Sequence, residues 1–148
     1  MKHMHMEGCE APVTEAEIDA IEKHLGVAFP KDFRAFYLRA NGGYCATNLF
    51  KSPEDDYPLN AFLPMKYTDM CIEACYATFQ AEPDLPKFFV PFAIDGGGDF
   101  YGFSTAPAEH GKISLFSSDS YFHPEGEMIA LCDTFTELID HLVLDDAT

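Results

Sequence analysis

Four short segments with strand character, 88–94, 99–105, 113–118 and 127–132, follow one another with only a few residues between them. A parallel crossover needs a dozen or more residues, so gaps this short favour antiparallel neighbours. The gaps are rich in turn formers: the triple glycine 96–98, "APAEHGK" and "SDSYFHPEG". In the first segment Val90, Phe92 and Ile94 alternate with Phe89, Pro91 and Ala93, so both faces are apolar and both are expected to be covered. Pro91 has no N–H to give to a ladder, which points to an edge or a bulge.

Helices frame these strands. Thr14-Glu15-Ala16-Glu17 is a capping box, with Val13 and Ile18 at the staple positions around it. Ile18, Ile21 and Leu25 recur at helical spacing, and Gly26 ends the run. Pro30 opens a second helix with Phe33, Phe36, Tyr37 and Ala40 on its apolar face, and Asn41-Gly42-Gly43 stops it. With so short a link the two helices form a hairpin. Thr68 or Asp69 is expected to cap a third helix, with Cys71, Ile72, Cys75, Tyr76 and Phe79 on one side. A second capping box, Thr134-Phe135-Thr136-Glu137, starts a last helix that buries Phe135, Leu138, Ile139 and Leu142. Residues 44–66 are harder to read: "YCATNLF" and "NAFLPMK" have strand character around the acidic loop "KSPEDDYP".

The expected fold class is α+β. One domain, 14–144, holds an antiparallel sheet flanked by an N-terminal helical hairpin, a middle helix and a C-terminal helix. Residues 1–13 read as an N-terminal tail and 145–148 as an acidic C-terminal tail. A chain of 148 residues is long enough for a single sizeable core. No apolar run reaches the roughly 20 residues a membrane span needs. The opening "MKHMHMEGCEAPV" lacks the apolar stretch of a secretory signal, so a cytoplasmic location is expected.

Charge is the strongest compositional signal. The chain carries −16, and residues 52–148 account for almost all of it, with three basic and 18 acidic side chains. Such a chain repels a phosphate backbone, which argues against a nucleic-acid partner. The acidic bias serves either solubility or the attraction of a basic partner.

The stretch "DGGGD" (95–99) invites a reading as a phosphate or metal loop, and its surroundings refuse it. The lysine and hydroxyl of a P-loop are missing, and the glycine spacing differs from that of a dinucleotide fingerprint. Two flanking carboxylates would repel a phosphate, and a calcium loop needs more oxygen ligands at regular spacing. What remains is a turn between two strands, where glycine supplies positive φ without a clash.

Other candidate chemistry is thin. Five cysteines include no CxxC pair, so free and mostly buried thiols are expected. Cys71 and Cys75 share a helix face and could hold half a zinc site, but no second pair completes it. Ser120 and His123 suggest a hydrolase, without the glycine-flanked serine elbow or a cysteine-centred signature to support it. His3 and His5 alternate with Met4 and Met6, so the tail either chelates metal adventitiously or docks on its own sheet or on a neighbouring molecule. No catalytic residue, no metal site and no cofactor is assigned.

With the helices placed, "TEAEIDAIEKHLGVAFPKDFRAFYLRANGG" (14–43) resembles the opening of the SUKH superfamily, the Smi/Knr-like proteins. The matching positions include Thr14, Glu17, Ile18, Leu25, Gly26, Phe29, Pro30, Asp32, Phe33, Tyr37 and Asn41-Gly42-Gly43. "FVPFAIDGGGDFYGF" is similar to that family's strand, glycine turn and strand, and "ALCDTFTELIDHL" to its closing strand and helix. The resemblance implies a protein-binding module without catalytic residues. In bacteria such proteins are commonly immunity proteins that neutralise a toxin, often a nuclease. In fungi a relative is a regulatory scaffold. A basic, nuclease-type toxin would suit the acidic segment. The partner-binding residues expected on that reading are Glu54, Asp55 and Asp56 in the loop, with Asp95 and Asp99 beside the glycine turn.

Overall fold

The computed structural model describes residues 1–117 and 126–144. The architecture is α+β, with four helices and two antiparallel sheets among the described residues. Helix α1 (Glu15–Leu25) opens with both bonds of the capping box: Thr14 Oγ1 accepts from the Glu17 N–H at 3.1 Å, and Glu17 accepts from the Thr14 N–H at 3.0 Å. Gly26, at φ 73°, closes it with a bond to the Glu22 carbonyl. The same Glu22 accepts from the Phe29 N–H at 2.6 Å and pairs with Arg34, which also reaches Asp19 at 2.8 Å. These contacts fix the hairpin of α1 with α2 (Lys31–Arg39), for which Pro30 is the N-cap.

The chain then forms three short strands, β1 (Thr47–Lys51), β2 (Asp56–Pro58) and β3 (Ala61–Phe62). Helix α3 (Ile72–Ala81) follows, then β4 (Phe89–Ile94), β5 (Phe100–Ser104), β6 (Ile113–Ser117), β7 (Glu127–Cys132), helix α4 (Phe135–Asp140) and β8 (Leu142–Leu144). The larger sheet runs β3-β4-β5-β6-β7, antiparallel at every step, and from β4 to β7 this is the pairing the short gaps favour. Pro91 stands at the register shift between β4 and β5, so β4 is an inner strand with a bulge.

Four expectations need correction. The sequence suggests one sheet; β2, β1 and β8 form a second, of three strands. The last helix ends at Asp140, and Leu142, expected on its apolar face, is buried from β8 instead. Neither Thr68 nor Asp69 caps α3: the Thr68 hydroxyl donates to the Met70 carbonyl, and Cys71 is the N-cap, its sulfur accepting from the Ala74 N–H. The second capping box is only half formed, because Thr134 accepts from Glu137 N–H while the Glu137 carboxylate takes the Asp133 N–H.

The N-terminal segment docks on the chain's own sheet. Glu7 and Tyr44 exchange two backbone bonds of 2.9 Å, and Gly43 and Phe62 do the same at 3.0 and 2.7 Å. Through 43 and 44 the tail therefore continues the ladder past β3 and covers that edge. Met4 is buried beneath it, and buried Asn41 locks the layers together, donating to the Ala11 carbonyl and accepting from the Met65 N–H, both at 2.8 Å.

The core is aromatic. Phe33, fully buried, places its ring within 4.8–5.6 Å of the rings of Phe29, Tyr37, Phe92, Phe103 and Phe135, joining α2, β4, β5 and α4. Each such ring removed from water contributes about 1.5–3 kcal/mol, and edge-to-face pairs add to it. Among these rings Tyr37 is the polar one. Its hydroxyl donates to the Leu63 carbonyl at 2.7 Å, so its burial leaves no orphan.

Candidate protein-binding face

The strands β4 to β7 run up and down, so their ends come together at one end of the sheet. The register places Ile94 opposite Phe100, Phe100 opposite Phe116, and Ser117 opposite Glu127. The glycine turn, the end of β6 and the start of β7 therefore share one end.

At that end the turn behaves as its composition suggests. The Asp95 N–H donates to the Asp99 carbonyl at 3.1 Å, and Gly98 takes φ 90°. Asp95 Oδ1 accepts from the N–H groups of Gly97 and Asp99 at 2.8 and 3.0 Å. The carboxylate closes its own loop, so Asp95 has a structural task as well as a charge.

The acidic loop 52–55 is held by Ser52. Its N–H and hydroxyl both donate to the Asp55 carbonyl, at 2.9 and 2.8 Å, and its oxygen accepts from the Asp55 N–H at 3.0 Å. Glu54 and Asp55 project from this hydrogen-bonded turn and are exposed. Asp56, in β2, stands opposite Lys51 across the pair, so the two opposite charges are cross-strand neighbours.

Two tyrosines join this loop to the glycine turn. The Tyr101 hydroxyl, from β5, donates to the Pro58 carbonyl at the end of β2 and so links the two sheets. Burial, and then the carboxylates of Asp95 and Asp99 and the Tyr57 phenol, push the Tyr101 phenol far above its ordinary range. Tyr57 is also raised, by burial and then by Asp55, Glu54 and Glu127. One corner of the molecule thus gathers Glu54, Asp55, Asp95, Asp99 and Glu127 from three separate stretches of chain. Glu127 is absent from the sequence-based set. The signal for it is the antiparallel pattern itself, which puts the first residue of β7 at the same end of the sheet as the glycine turn.

The other candidates have structural surroundings. Cys71 and Cys75 are buried, the Cys75 thiol donates to Met70 Sδ, and all five cysteines are free. Burial pushes the Cys75 thiol up to about 11 and the Cys132 thiol up to about 12, which disfavours the nucleophilic thiolate. His110 Nε2 meets the Ala28 carbonyl at 2.9 Å. His3 and His5 line a cavity of about 250 Å³ with Phe36 and Arg39. Among the described residues no group of three or more His, Cys, Asp or Glu side chains is placed to hold a metal ion. Ser120 and His123 lie outside the described residues. No helix among the described residues is long and apolar enough to cross a membrane.

A family model, the SMI1 / KNR4 family (SUKH-1), matches residues 12–141. The chain belongs to that family. The match runs from the residue before the Val13 staple to the end of α4, so it takes in the helical hairpin, the larger sheet and the acidic corner. The SMI1 / KNR4 family is known for proteins of the immunity type and is not a family of enzymes. A comparison with curated proteins found no match.

Proposed function

We propose that this SUKH-1 protein is a cytoplasmic immunity protein that neutralises a basic, nuclease-type toxin by binding it directly, using the acidic corner as part of its contact face. The observation that carries this reading is the gathering of Glu54, Asp55, Asp95, Asp99 and Glu127 at one end of the sheets, through the Ser52 turn, the glycine turn, the β5–β6–β7 register and the Tyr101–Pro58 bond that joins the two sheets. Carboxylates fixed by turns and strands on one corner make a directed field, which steers a basic protein into a single approach. Tyr57, half-buried beside the loop, supplies amphipathic area of the kind favoured at protein interfaces, and buried Tyr101 holds the corner together from within. No cofactor, nucleic acid or membrane is required for this activity: inhibition follows from covering the toxin's site.

The test is co-purification of the tagged chain with the product of the adjacent gene, followed by measurement of that product's nuclease activity with and without the chain. Stoichiometric capture with loss of activity supports the reading. Capture of an acidic partner, or of a protein without toxin activity, would instead favour a regulatory or scaffolding module.

A further inference from the structure

We propose that the apolar groove between α3 and the five-stranded sheet is an anchor site for one apolar side chain carried on a basic segment of a partner protein. This rests on the functional reading above only in supposing that a partner exists; the chemistry of the segment comes from the groove.

The groove has a volume of about 370 Å³. Met70, Phe79 and Leu85 line it from α3 and its flanks, and Phe100 and Phe116 from β5 and β6. Phe79 meets the other two rings at 5.3 and 5.9 Å, so the floor is aromatic and rigid. Met70 at the mouth is 52% exposed, and a thioether side chain adapts to different guests.

The charge around it selects the guest. Among the described residues Asp69 is the only charged side chain that lines the groove. Asp84 and Asp99 are the chain neighbours of the lining residues Leu85 and Phe100. The Lys87 ammonium donates to the carbonyls of Phe79, Gln80 and Glu82, so its charge faces the end of α3. An apolar side chain flanked by Lys or Arg gains from both the floor and the rim. A second copy of this chain, at −16, is repelled. Phe100 and Phe116 also stand at the same end of the sheet as the glycine turn and Glu127, so one partner can span groove and corner.

The test is fluorescence anisotropy with three labelled hexapeptides: Lys-Lys-Leu-Phe-Lys-Lys, Lys-Lys-Ser-Ser-Lys-Lys and Glu-Glu-Leu-Phe-Glu-Glu. The first should bind at least about tenfold tighter than either of the others, as expected for a buried anchor. Ala74→Trp, which fills the groove, and Thr78→Lys, which places a cation on its wall, should each abolish that margin. Both positions are exposed on α3, and thermal melts check the fold. If Ala74→Trp does not fold, Thr78→Lys alone decides. Equal binding of the two basic peptides, or unchanged binding by the folded variants, overturns the proposal. That result would leave the immunity reading standing wherever a toxin is still captured through Glu54, Asp55 and Glu127.

Discussion

Asp32, in the first turn of α2, accepts two hydrogen bonds from Thr136 in α4, from its N–H and its hydroxyl, each 2.8 Å. The two residues are 104 positions apart. Thr136 lies in the first turn of its helix, where backbone N–H groups lack partners and the helix dipole favours a negative charge. One carboxylate therefore caps a helix that its own chain segment does not contain, and it pins the helical hairpin to the C-terminal end of the domain.

Replacing Asp32 with Ala should lower stability by about 2 kcal/mol, the loss of a charged acceptor plus an orphaned N–H. Asp32→Asn should cost less, because one oxygen remains to accept from Thr136. Urea unfolding checks this, with the midpoint falling and the slope unchanged. A cycle with Thr136→Val should show coupling, since the two side chains share the bond.

Glu17 gives a pH dependence. Its carboxylate is held at about 2, lowered by Lys66, by the Thr14 N–H and by the Tyr67 hydroxyl. Its ordinary value is 4.5. A depressed carboxylate stabilises the fold fully above its unfolded value and loses that contribution as pH falls through its folded value. Melting temperatures of the wild type and Glu17→Gln should therefore differ by a constant amount above about pH 5 and converge between there and pH 2. A difference that grows as the pH falls would have the wrong sign. The contact ties the start of α1 to the segment before α3, where Tyr67 takes φ 89°.

Gly102 shows what a local reading of the sequence misses. Beside the triple glycine it looks like a stray member of a broken fingerprint. In the fold, a Cβ there would lie 2.4 Å from the Phe89 ring and 2.6 Å from the Val90 carbonyl. The glycine is the slot that lets Phe89 cross β5. Gly102→Ala should cost about 1–3 kcal/mol through overpacking, read from thermal or urea unfolding. Gly98→Ala, in open space at φ 90°, should cost only the strain of its backbone and remain folded.

The legible parts of this fold are those in which a residue acts on near neighbours. The first capping box, the Gly26 stop, the glycine turn and the antiparallel order of β4 to β7 all follow from spacing alone. The second sheet does not, because β8 has three residues and its buried Leu142 fits a helical period as well as a strand. Asn41-Gly42-Gly43 reads correctly as a helix stop, yet its larger role is to sit between the tail and β3, where a Cβ on Gly43 would lie 2.4 Å from the Glu7 carbonyl. That role depends on contacts with distant residues and leaves no periodic trace. The acidic corner is intermediate: charge counts along the chain suggest it, but only strand register brings Glu127 into it and sets Asp56 against Lys51.

This arrangement changes which charges should steer a partner. Glu54 and Asp55 are exposed on a fixed loop, and Glu127 adds to the same field at Tyr57. Asp95 also holds its turn closed, so removing it would confuse charge with structure. The informative variant is therefore Glu54→Gln, Asp55→Asn and Glu127→Gln together, with Asp56→Asn as the comparison. Rim charges act on the association rate, through a field that salt screens over about 8–10 Å. The triple variant should associate with a basic toxin roughly tenfold more slowly at low ionic strength, with a flatter salt dependence and a nearly unchanged dissociation rate. Asp56→Asn should change the rate much less, because it removes one charge where the triple variant removes three. Stopped-flow association across a salt series measures all three. Equal rates and equal slopes for the wild type and the triple variant would show that this corner does not guide the encounter.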